Sequence, residues 1–202
     1  MRRENKTRYA VLGLLSYGPM SGYEIKKATD NSIAHFWREN FGQIYPVLEG
    51  LRDESLVELV AEERDADLRS GFPGRARKRY RISDAGREEL ERWLSREAEQ
   101  PGLRIELLLK LFFGKMAPKD VLIRHVESEL RIHTEKLRQY EEIKRHMTEH
   151  RSGGKAGELG EFEHGEIDHL LWKTTLSYGE HYSRAVTAWC TETLAALKSM
   201  NA

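Results

Sequence analysis

Residues 41–51 read Phe41-Gly42-Gln43-Ile44-Tyr45-Pro46-Val47-Leu48-Glu49-Gly50-Leu51, a segment with the pattern of a short helix that has two faces. Its apolar residues recur at the i, i+3, i+4 and i+7 spacing, which predicts one buried stripe. The predicted stripe consists of Ile44, Val47, Leu48 and Leu51. The residues predicted to face outward are Gln43, Tyr45, Glu49 and Arg52. Pro46 falls in or near the first turn, where its missing N–H costs least.

The exposed face of this helix suits a nucleic-acid groove. A glutamine such as Gln43 can pair with two atoms of an adenine edge, and a tyrosine such as Tyr45 can reach phosphate or pack on sugar and methyl groups. The alternative is an ordinary amphipathic helix whose polar residues face water. Periodicity alone predicts only a packed helix, so the flanking sequence has to separate the two.

Composition narrows the class of protein. The chain has 202 residues, enough for one large domain or two small ones, and 33% of them are charged, which favours long exposed helices. Lys+Arg and Asp+Glu both number 33, so binding to nucleic acid would need a local basic patch. The single cysteine, Cys190, excludes an intramolecular disulfide framework, and the apolar run before Gly18-Pro19 is too short to span a bilayer. A cytoplasmic protein is expected.

Two more helices precede the opening segment. The first is capped by Thr7 and ends at Gly18-Pro19, and its predicted buried residues are Val11, Leu12, Leu14 and Leu15. Ser21 followed three residues later by Glu24 is a capping box, so a second helix begins there. Its residues Ile25 and Ala28 are predicted to face inward, and Lys26 and Lys27 to face water or phosphate.

A hairpin follows the three helices. Val57, Leu59 and Ala61 alternate with polar residues, which indicates a strand, and a polar Gly/Pro loop leads to a second strand. That second strand is basic, with five cations in seven residues: Arg75, Arg77, Lys78, Arg79 and Arg81. The alternative is an edge strand whose charges only face water. Because the helix at residues 41–51 is a candidate for contacting DNA bases, contacts from these cations to DNA phosphates explain them better. Ser83-Asp84 then caps a helix with Leu90, Trp93 and Leu94 as its predicted buried side.

Three helices and a two-stranded hairpin predict a winged helix-turn-helix. The sequence here resembles the PadR-like transcriptional regulators, over roughly the first 95 residues and in the family's order. The resemblance rests on Tyr9-Ala10-Val11-Leu12-Gly13-Leu14-Leu15, Ser21-Gly22-Tyr23-Glu24-Ile25, Gly42-Gln43-Ile44-Tyr45-Pro46-Val47-Leu48, Lys78-Arg79-Tyr80-Arg81-Ile82-Ser83 and Gly86.

The resemblance implies that the third helix enters the major groove of DNA. Gln43 and Tyr45 are then the reading and positioning residues, and Ser21, Tyr23 and Lys26 contact phosphate at the second helix. The wing contacts are Arg75, Arg77, Lys78 and Arg79. Because Asp65 and Asp67 at the wing tip would repel phosphate, the contact is expected on the basic return strand. Tyr45 has an alternative, which is to pack into the wing.

The second half is predicted to be all-helical. A boundary near Glu99-Gln100-Pro101-Gly102 separates a DNA-binding domain, residues 1–98, from a helical dimerisation and effector domain, residues 99–202. Within a long helix from Lys119 to about His150, a seam recurs at four- and three-residue steps: Val126, Leu130, His133, Leu137 and Tyr140. A last helix from about Glu166 to Met200 has an apolar face too broad to bury within one chain, so a two-fold dimer is expected.

Two overlapping roles are predicted for the aromatic residues of the last helix. The predicted dimer interface contains Tyr178, Tyr182, Ala185 and Trp189. The predicted effector site contains His169, Trp172 and Tyr178, with Trp93 from the linking helix. Aromatic rings can stack on an aromatic effector and histidine can pair with a carboxylate, but a dimer core uses the same residue types.

Two other classes of function were weighed. His146 and His150 have helical spacing that can hold zinc, and His164 and His169 lie among acidic residues, but a third close histidine or a cysteine partner is missing. No phosphate loop, nucleophile elbow or paired-carboxylate pattern is present in the sequence, so neither an enzyme nor a metal or other cofactor is expected. Cys190 is expected to be a packed small residue.

The sequence therefore predicts a mostly α (α+β) protein. It has an N-terminal winged helix-turn-helix with a two-stranded wing and a C-terminal, antiparallel, coiled-coil-like helical domain. The predicted function is a PadR-like homodimeric repressor that binds a near-palindromic operator in double-stranded DNA and is released by a small aromatic or phenolic effector. The alternative is a winged-helix activator, or a regulator without a small ligand.

Overall fold

The computed structural model describes residues 5–34, 36–37, 41–63, 77–100, 102, 104–151 and 165–199. The side chains of residues 41, 61–63, 77 and 149–151 also lie outside the description. The described residues form two compact units, divided between Ala98 and Glu99. No described helix is long and apolar enough to cross a membrane.

The N-terminal unit begins with three helices around a small core. These are α1 (Thr7–Leu15), α2 (Gly22–Ser32) and α3 (Ile44–Asp53), the last preceded by a 3₁₀ turn over Phe41–Gln43. The predicted stripe of α3 is buried, and so are the apolar residues predicted for α1 and α2. Leu12, Ile25 and Leu48 are fully enclosed, one from each helix. The outward face predicted for α3 is exposed.

A three-stranded antiparallel sheet completes this unit. Its order is β1–β3–β2, formed by β1 (Met20–Ser21), β2 (Val57–Glu63) and β3 (Arg77–Ile82). The predicted hairpin is thus confirmed, with a third short strand that the sequence did not indicate. Val57 pairs with Ile82 and Leu59 with Tyr80, after which a bulge shifts the register. Leu59 is 43% exposed beside this bulge.

The capping box of α2 is confirmed. The Ser21 hydroxyl accepts a hydrogen bond from the Glu24 N–H at 3.2 Å, and the Glu24 carboxylate accepts one from the Ser21 N–H at 2.7 Å. Two N–H groups at the start of the helix are satisfied in this way. Because Ser21 also pairs with Arg79 in the sheet, β1 leads directly into α2.

The helix α4 (Asp84–Leu94) is attached to the sheet at its first turn. The Ser83 hydroxyl accepts from the Gly86 N–H at 3.0 Å and donates to the Ser55 carbonyl at 2.8 Å. A Cβ on Gly86 would lie 2.1 Å from the Leu56 carbonyl oxygen, so only glycine permits this approach.

The other end of α4 packs on α1. The Tyr9 ring stacks on Trp93 at 4.5 Å between centroids, and its hydroxyl donates to Glu89 at 3.1 Å. Leu94, predicted to be buried with Trp93, is 66% exposed. The prediction failed because periodicity identified the apolar face of α4, while the partner helix covers that face only up to Trp93.

The C-terminal unit consists of helices, as predicted. It contains α5 (Glu106–Phe112), a 3₁₀ turn at Gly114–Met116, α6 (Lys119–Arg151) and α7 (Glu166–Ser199). The two long helices are antiparallel. The Lys119 ammonium donates to the Lys198 carbonyl at one end, and Lys144 pairs with Glu180 toward the other. The seam residues Val126, His133 and Tyr140 are buried between them.

The apolar core of this unit is small and contains the only cysteine of the chain. Val126 and Cys190 are fully enclosed and Leu194 is nearly so. Partly buried residues surround them: Leu111, Ile123, Leu130, Val186, Trp189 and Leu197. Burial, with a smaller contribution from Glu129, raises the pKa of the Cys190 thiol. The expectation of a packed cysteine is confirmed.

Polar groups continue the contact between α6 and α7. His133, 3% exposed, lies between the Ser183 hydroxyl at 3.1 Å from Nδ1 and the Glu129 carboxylate at 3.2 Å from Nε2. A neutral ring satisfies both, donating from Nε2 and accepting at Nδ1. Burial of the ring and then the nearby Lys136 lower the His133 pKa, against the opposing pull of Glu129.

Further along the pair, the buried Glu180 carboxylate joins Lys144 and Arg184. Its pKa is lowered, chiefly by the hydrogen bond from Lys144. Each of these buried polar groups therefore has a partner, as the low polarity of a helix interface requires.

We expect His133 to make stability depend on pH. Its folded-state pKa lies below the ordinary 6.5, so the unfolded chain takes up the proton first, and stability falls as pH drops through 6.5. His133→Gln should remove this component, whose slope is at most about 1.4 kcal/mol per pH unit. Urea unfolding between about pH 5 and 7.5 measures it.

The matched control is His125→Gln on the same helix, which should keep the slope. An unchanged slope in His133→Gln would contradict the assignment, whatever its effect on stability at neutral pH.

Candidate nucleic-acid interface

The start of α2 presents an aromatic ring and a cation. Tyr23 is 61% exposed at the second position of the helix, and Lys26 is exposed one turn later. Ser21, also predicted to contact DNA, is only 5% exposed and uses its hydroxyl as the helix cap. The electropositive end of the helix macrodipole nevertheless favours an anion here.

The start of α3 presents an amide and a second ring. Gln43 is exposed, and its side chain makes no capping hydrogen bond because the preceding 3₁₀ turn runs straight into α3. Tyr45 is 60% exposed, and its ring lies against Gly22 at the start of α2. The alternative that Tyr45 packs into the wing stays a prediction, because residues 64–76 of the wing lie outside the described residues. The first turns of α2 and α3 are adjacent.

The cations of the basic strand β3 differ in their contacts: Arg79 and Arg81 bind groups of the protein, and Lys78 is exposed to solvent. The Arg79 guanidinium donates to the Pro19 carbonyl at 2.7 Å and lies 3.7 Å from the Glu24 carboxylate. Arg81 pairs with Glu58 across the hairpin at 2.7 Å, and that hydrogen bond raises the Arg81 pKa. Lys78 is exposed. The predicted contacts Arg75 and Arg77, and the acidic Asp65 and Asp67, lie outside the described side chains.

Backbone pairing brings these three elements together. Ser21 pairs with Arg79 and Met20 with Tyr80, so β3 runs beside the start of α2, where Tyr45 of α3 also lies. The result is one surface formed by two helix N-termini and a basic strand. Helix N-termini and cations attract phosphate, and exposed amide and aromatic side chains can contact bases and sugars.

The residues predicted to bind an effector belong to both units. His169 and Trp172, both half-buried on α7, meet edge to face at 5.6 Å, and Tyr178 on the same helix is 74% exposed. Trp93 lies in the other unit, stacked on Tyr9. Among the predicted dimer residues, Tyr182 and Ala185 are exposed, and Trp189 packs partly against the Cys190 cluster.

No group of three or more His, Cys, Asp or Glu side chains that could hold a metal ion occurs among the described residues. The candidate ligands His150 and His164 lie outside the described side chains. His146 is exposed on α6.

Sequence reasoning missed two features of the surface. It did not foresee the hydrogen bond from Arg79 to the Pro19 carbonyl, 60 positions earlier, because the two-residue strand that brings them together is too short to give a periodic signal. The assignment of Arg79 to DNA stays a prediction. It also overlooked Gly22. The adjacency of Gly22 and Tyr45 depends on how two helices pack, and no local pattern records it.

Comparison with known proteins agrees with this architecture. Residues 11–92 match the sequence profile of the transcriptional regulator PadR-like family, and residues 103–198 that of the virulence activator alpha C-term. Over 107 residues the chain is 34% identical to the negative transcriptional regulator PadR of Bacillus subtilis, covering 52% of this chain and 55% of that protein. The chain thus matches about half the length of that relative.

Solved structures share the fold. Bacillus subtilis PadR in complex with operator DNA matches with a TM-score of 0.72 at 23% identity, over 96% of this chain and 99% of that one. Its complex with p-coumaric acid gives 0.69 at 23%, over 96% and 100%. The Vibrio cholerae virulence activator AphA gives 0.71 at 22%, over 96% and 99%.

The N-terminal unit is therefore a winged helix-turn-helix domain, here joined to a helical C-terminal unit. Residues 11–92 resemble the PadR-like family of transcriptional regulators, whose profile they match.

We expect Arg79→Ala to lower the free energy of unfolding by about 1–2 kcal/mol, because it removes a charge-assisted hydrogen bond to the Pro19 carbonyl. Its exposed neighbour Lys78 provides the matched control, and Lys78→Ala should change the same quantity by less than about 0.5 kcal/mol. Urea unfolding followed by circular dichroism measures both. Equal effects of the two substitutions would argue against a structural task for Arg79.

Proposed function

We propose that this protein is a DNA-binding transcriptional regulator, not an enzyme. The observation that carries the proposal is the surface at which the first turns of α2 and α3 meet the basic strand β3. A helix of this size fits the major groove, and cations beside it neutralise phosphates of the flanking backbone. A DNA-binding regulator of this kind acts in the cytoplasm.

The residues divide into reading and positioning roles. Gln43 contacts base edges, since its exposed amide can form two hydrogen bonds with one adenine. Tyr45 contacts phosphate, sugar or methyl groups beside it. The backbone positioning contacts come from Tyr23, Lys26, the N–H groups following Ser21, and Lys78, with Arg75 and Arg77. Arg79 is also proposed as a wing contact, and its hydrogen bond to the Pro19 carbonyl holds it beside the start of α2.

The regulator acts as a homodimer, and the exposed apolar surface of the C-terminal unit supports this. Along α7, exposed apolar residues recur at steps of three, four and seven residues, as in a coiled-coil seam. They are Ile167, Leu171, Tyr178, Tyr182 and Ala185. The α5 region exposes a second set, Leu108, Leu109, Phe112, Phe113 and Met116. Faces of this kind mark protein interfaces, and a second copy is the simplest partner.

Two-fold symmetry would present two reading helices to DNA. They would enter major grooves about one helical turn, ~34 Å, or a multiple of it apart, on a near-palindromic operator. Repression is the proposed outcome, and the relative named as a negative regulator favours it. Activation is the second candidate, favoured by the fold shared with a virulence activator.

Release by a small aromatic or phenolic acid completes the proposal. The residues that support it are His169 and Trp172, whose rings already meet edge to face, with Tyr178 one turn and a half further along α7. The PadR structure with p-coumaric acid makes that compound the first to try. It would act by favouring a state in which the two wings no longer fit the operator.

We expect Gln43→Ala to reduce the discrimination between operator and random DNA by about 1–3 kcal/mol, the contribution of a paired base contact. Fluorescence anisotropy on the protein's own upstream DNA and on a scrambled duplex, at several salt concentrations, measures this. The same titrations with p-coumaric acid test for an effector.

Gln139→Ala, an exposed glutamine of the C-terminal unit, is the control and should leave discrimination unchanged. Equal weakening of Gln43→Ala on both duplexes would make Gln43 a backbone contact. Wild-type protein without selectivity for any DNA in a genome-wide binding selection would contradict the proposed function.

We expect Ala185→Arg to dissociate the dimer, raising its dissociation constant at least tenfold, about 1.4 kcal/mol, because a cation would be buried in the proposed seam. Sedimentation velocity over a range of concentrations measures the change. Ala195→Arg, at an exposed alanine outside the seam, is the control. A monomeric wild-type protein, or a dimer indifferent to Ala185→Arg, would argue against this interface.

A further inference from the structure

The residue Gly22 has a neighbour that leaves no room for a side chain. A Cβ built on Gly22 would lie 2.7 Å from Cε1, 3.0 Å from Cζ and 3.3 Å from Cδ1 of the Tyr45 ring. Separations below 3.0 Å between such atoms do not occur in relaxed structures, so an alanine would displace the ring. The glycine and the ring are in direct contact across the ends of two helices.

The backbone does not explain this glycine. Gly22 is the first residue of α2, and it is not among the described glycines with a positive φ. Alanine is the better helix former where space allows. The constraint at this position is therefore the space taken by Tyr45.

Burial does not explain why the Tyr45 ring lies against Gly22. Tyr45 is 60% exposed, whereas Gly22 beneath it is buried. A ring on a helix surface ordinarily samples several rotamers, and fixing one costs conformational entropy each time a ligand is bound. Because the Tyr45 ring is already in contact with the start of α2, part of its conformational entropy is lost on folding, and less is lost when a ligand binds.

We propose that Gly22 is a positioning residue that seats the Tyr45 ring on the end of α2, so that ring and helix N-terminus meet the DNA backbone as one preformed contact. The inference rests on the proposed function, which it deepens by assigning a role to a residue with no side chain. The glycine acts through Tyr45 and touches no DNA itself. A methyl group at position 22 leaves the fold intact, since the exposed Tyr45 ring can rotate away. The ring then loses its contact with the start of α2.

The contact itself is tested without DNA. In the wild-type protein, nuclear Overhauser effects should join the Gly22 Hα protons to the Tyr45 ring protons. Their absence would overturn the proposal.

The role in binding is tested with four variants on operator DNA. Gly22→Ala should weaken operator binding about fivefold, the equivalent of one net hydrogen bond, with its urea midpoint close to the wild-type value. Gly50→Ala is the matched control, because this helical glycine on α3 has nothing within 4 Å of its built Cβ. It should keep operator affinity and raise the urea midpoint.

The remaining variants separate seating from helix packing. If Gly22 acts only through the ring, Gly22→Ala should have no further effect when Tyr45→Ala is already present, and the double variant should bind like Tyr45→Ala. An equal fivefold loss in both backgrounds would overturn the proposal and assign Gly22 to helix packing. Wild-type affinity in Gly22→Ala would overturn it as well. If the wild-type protein binds operator DNA selectively, either of these two results rejects only the role of Gly22, and the proposed function stands. If the wild-type protein shows no selectivity, the proposed function and the role of Gly22 are both rejected.

Discussion

The two-residue strand β1 is the constraint on which the N-terminal unit depends. Its second residue, Ser21, pairs with Arg79 in the sheet and caps α2 through Glu24. The Arg79 side chain returns to the Pro19 carbonyl just before that strand and lies near Glu24. Sheet pairing, helix capping and a charged hydrogen bond thus converge within a few residues, so the strand and the start of α2 cannot move independently. A domain with a small core can hold its binding surface in shape in this way.

The helical unit solves a different problem, because two long helices can pair in several registers. Apolar seams alone tolerate a slip of one turn. Here His133 requires both Ser183 and Glu129, and Glu180 requires Lys144 and Arg184 across or along the pair. Slipping the pair by one turn would break the two polar contacts between the helices, His133 with Ser183 and Lys144 with Glu180, and leave buried polar atoms unsatisfied. The polar residues therefore specify the register that the apolar core stabilises.

Local patterns predicted much of this fold, for physical reasons. The stripe of α3 and the capping box of α2 depend on residues three and four apart, which a helix always brings together. The prediction that Leu94 is buried failed because burial depends on where the partner helix ends. The tasks of Arg79 and Gly22 arise from long-range packing that the sequence does not display. The assignments of single residues to DNA or effector stay predictions.

The buried cysteine gives the helix pair an internal reporter. Cys190 is the only thiol of the chain, is fully enclosed beside Val126 and has a raised pKa. The thiolate is the nucleophile that attacks a thiol reagent, and Cys190 is fully enclosed, so its modification requires α6 and α7 to separate and admit solvent and reagent. The labelling rate, compared with that of the unfolded chain, therefore yields the free energy of opening this contact under native conditions. Because no residue has to be changed, the same rate can be followed as DNA or small molecules are added.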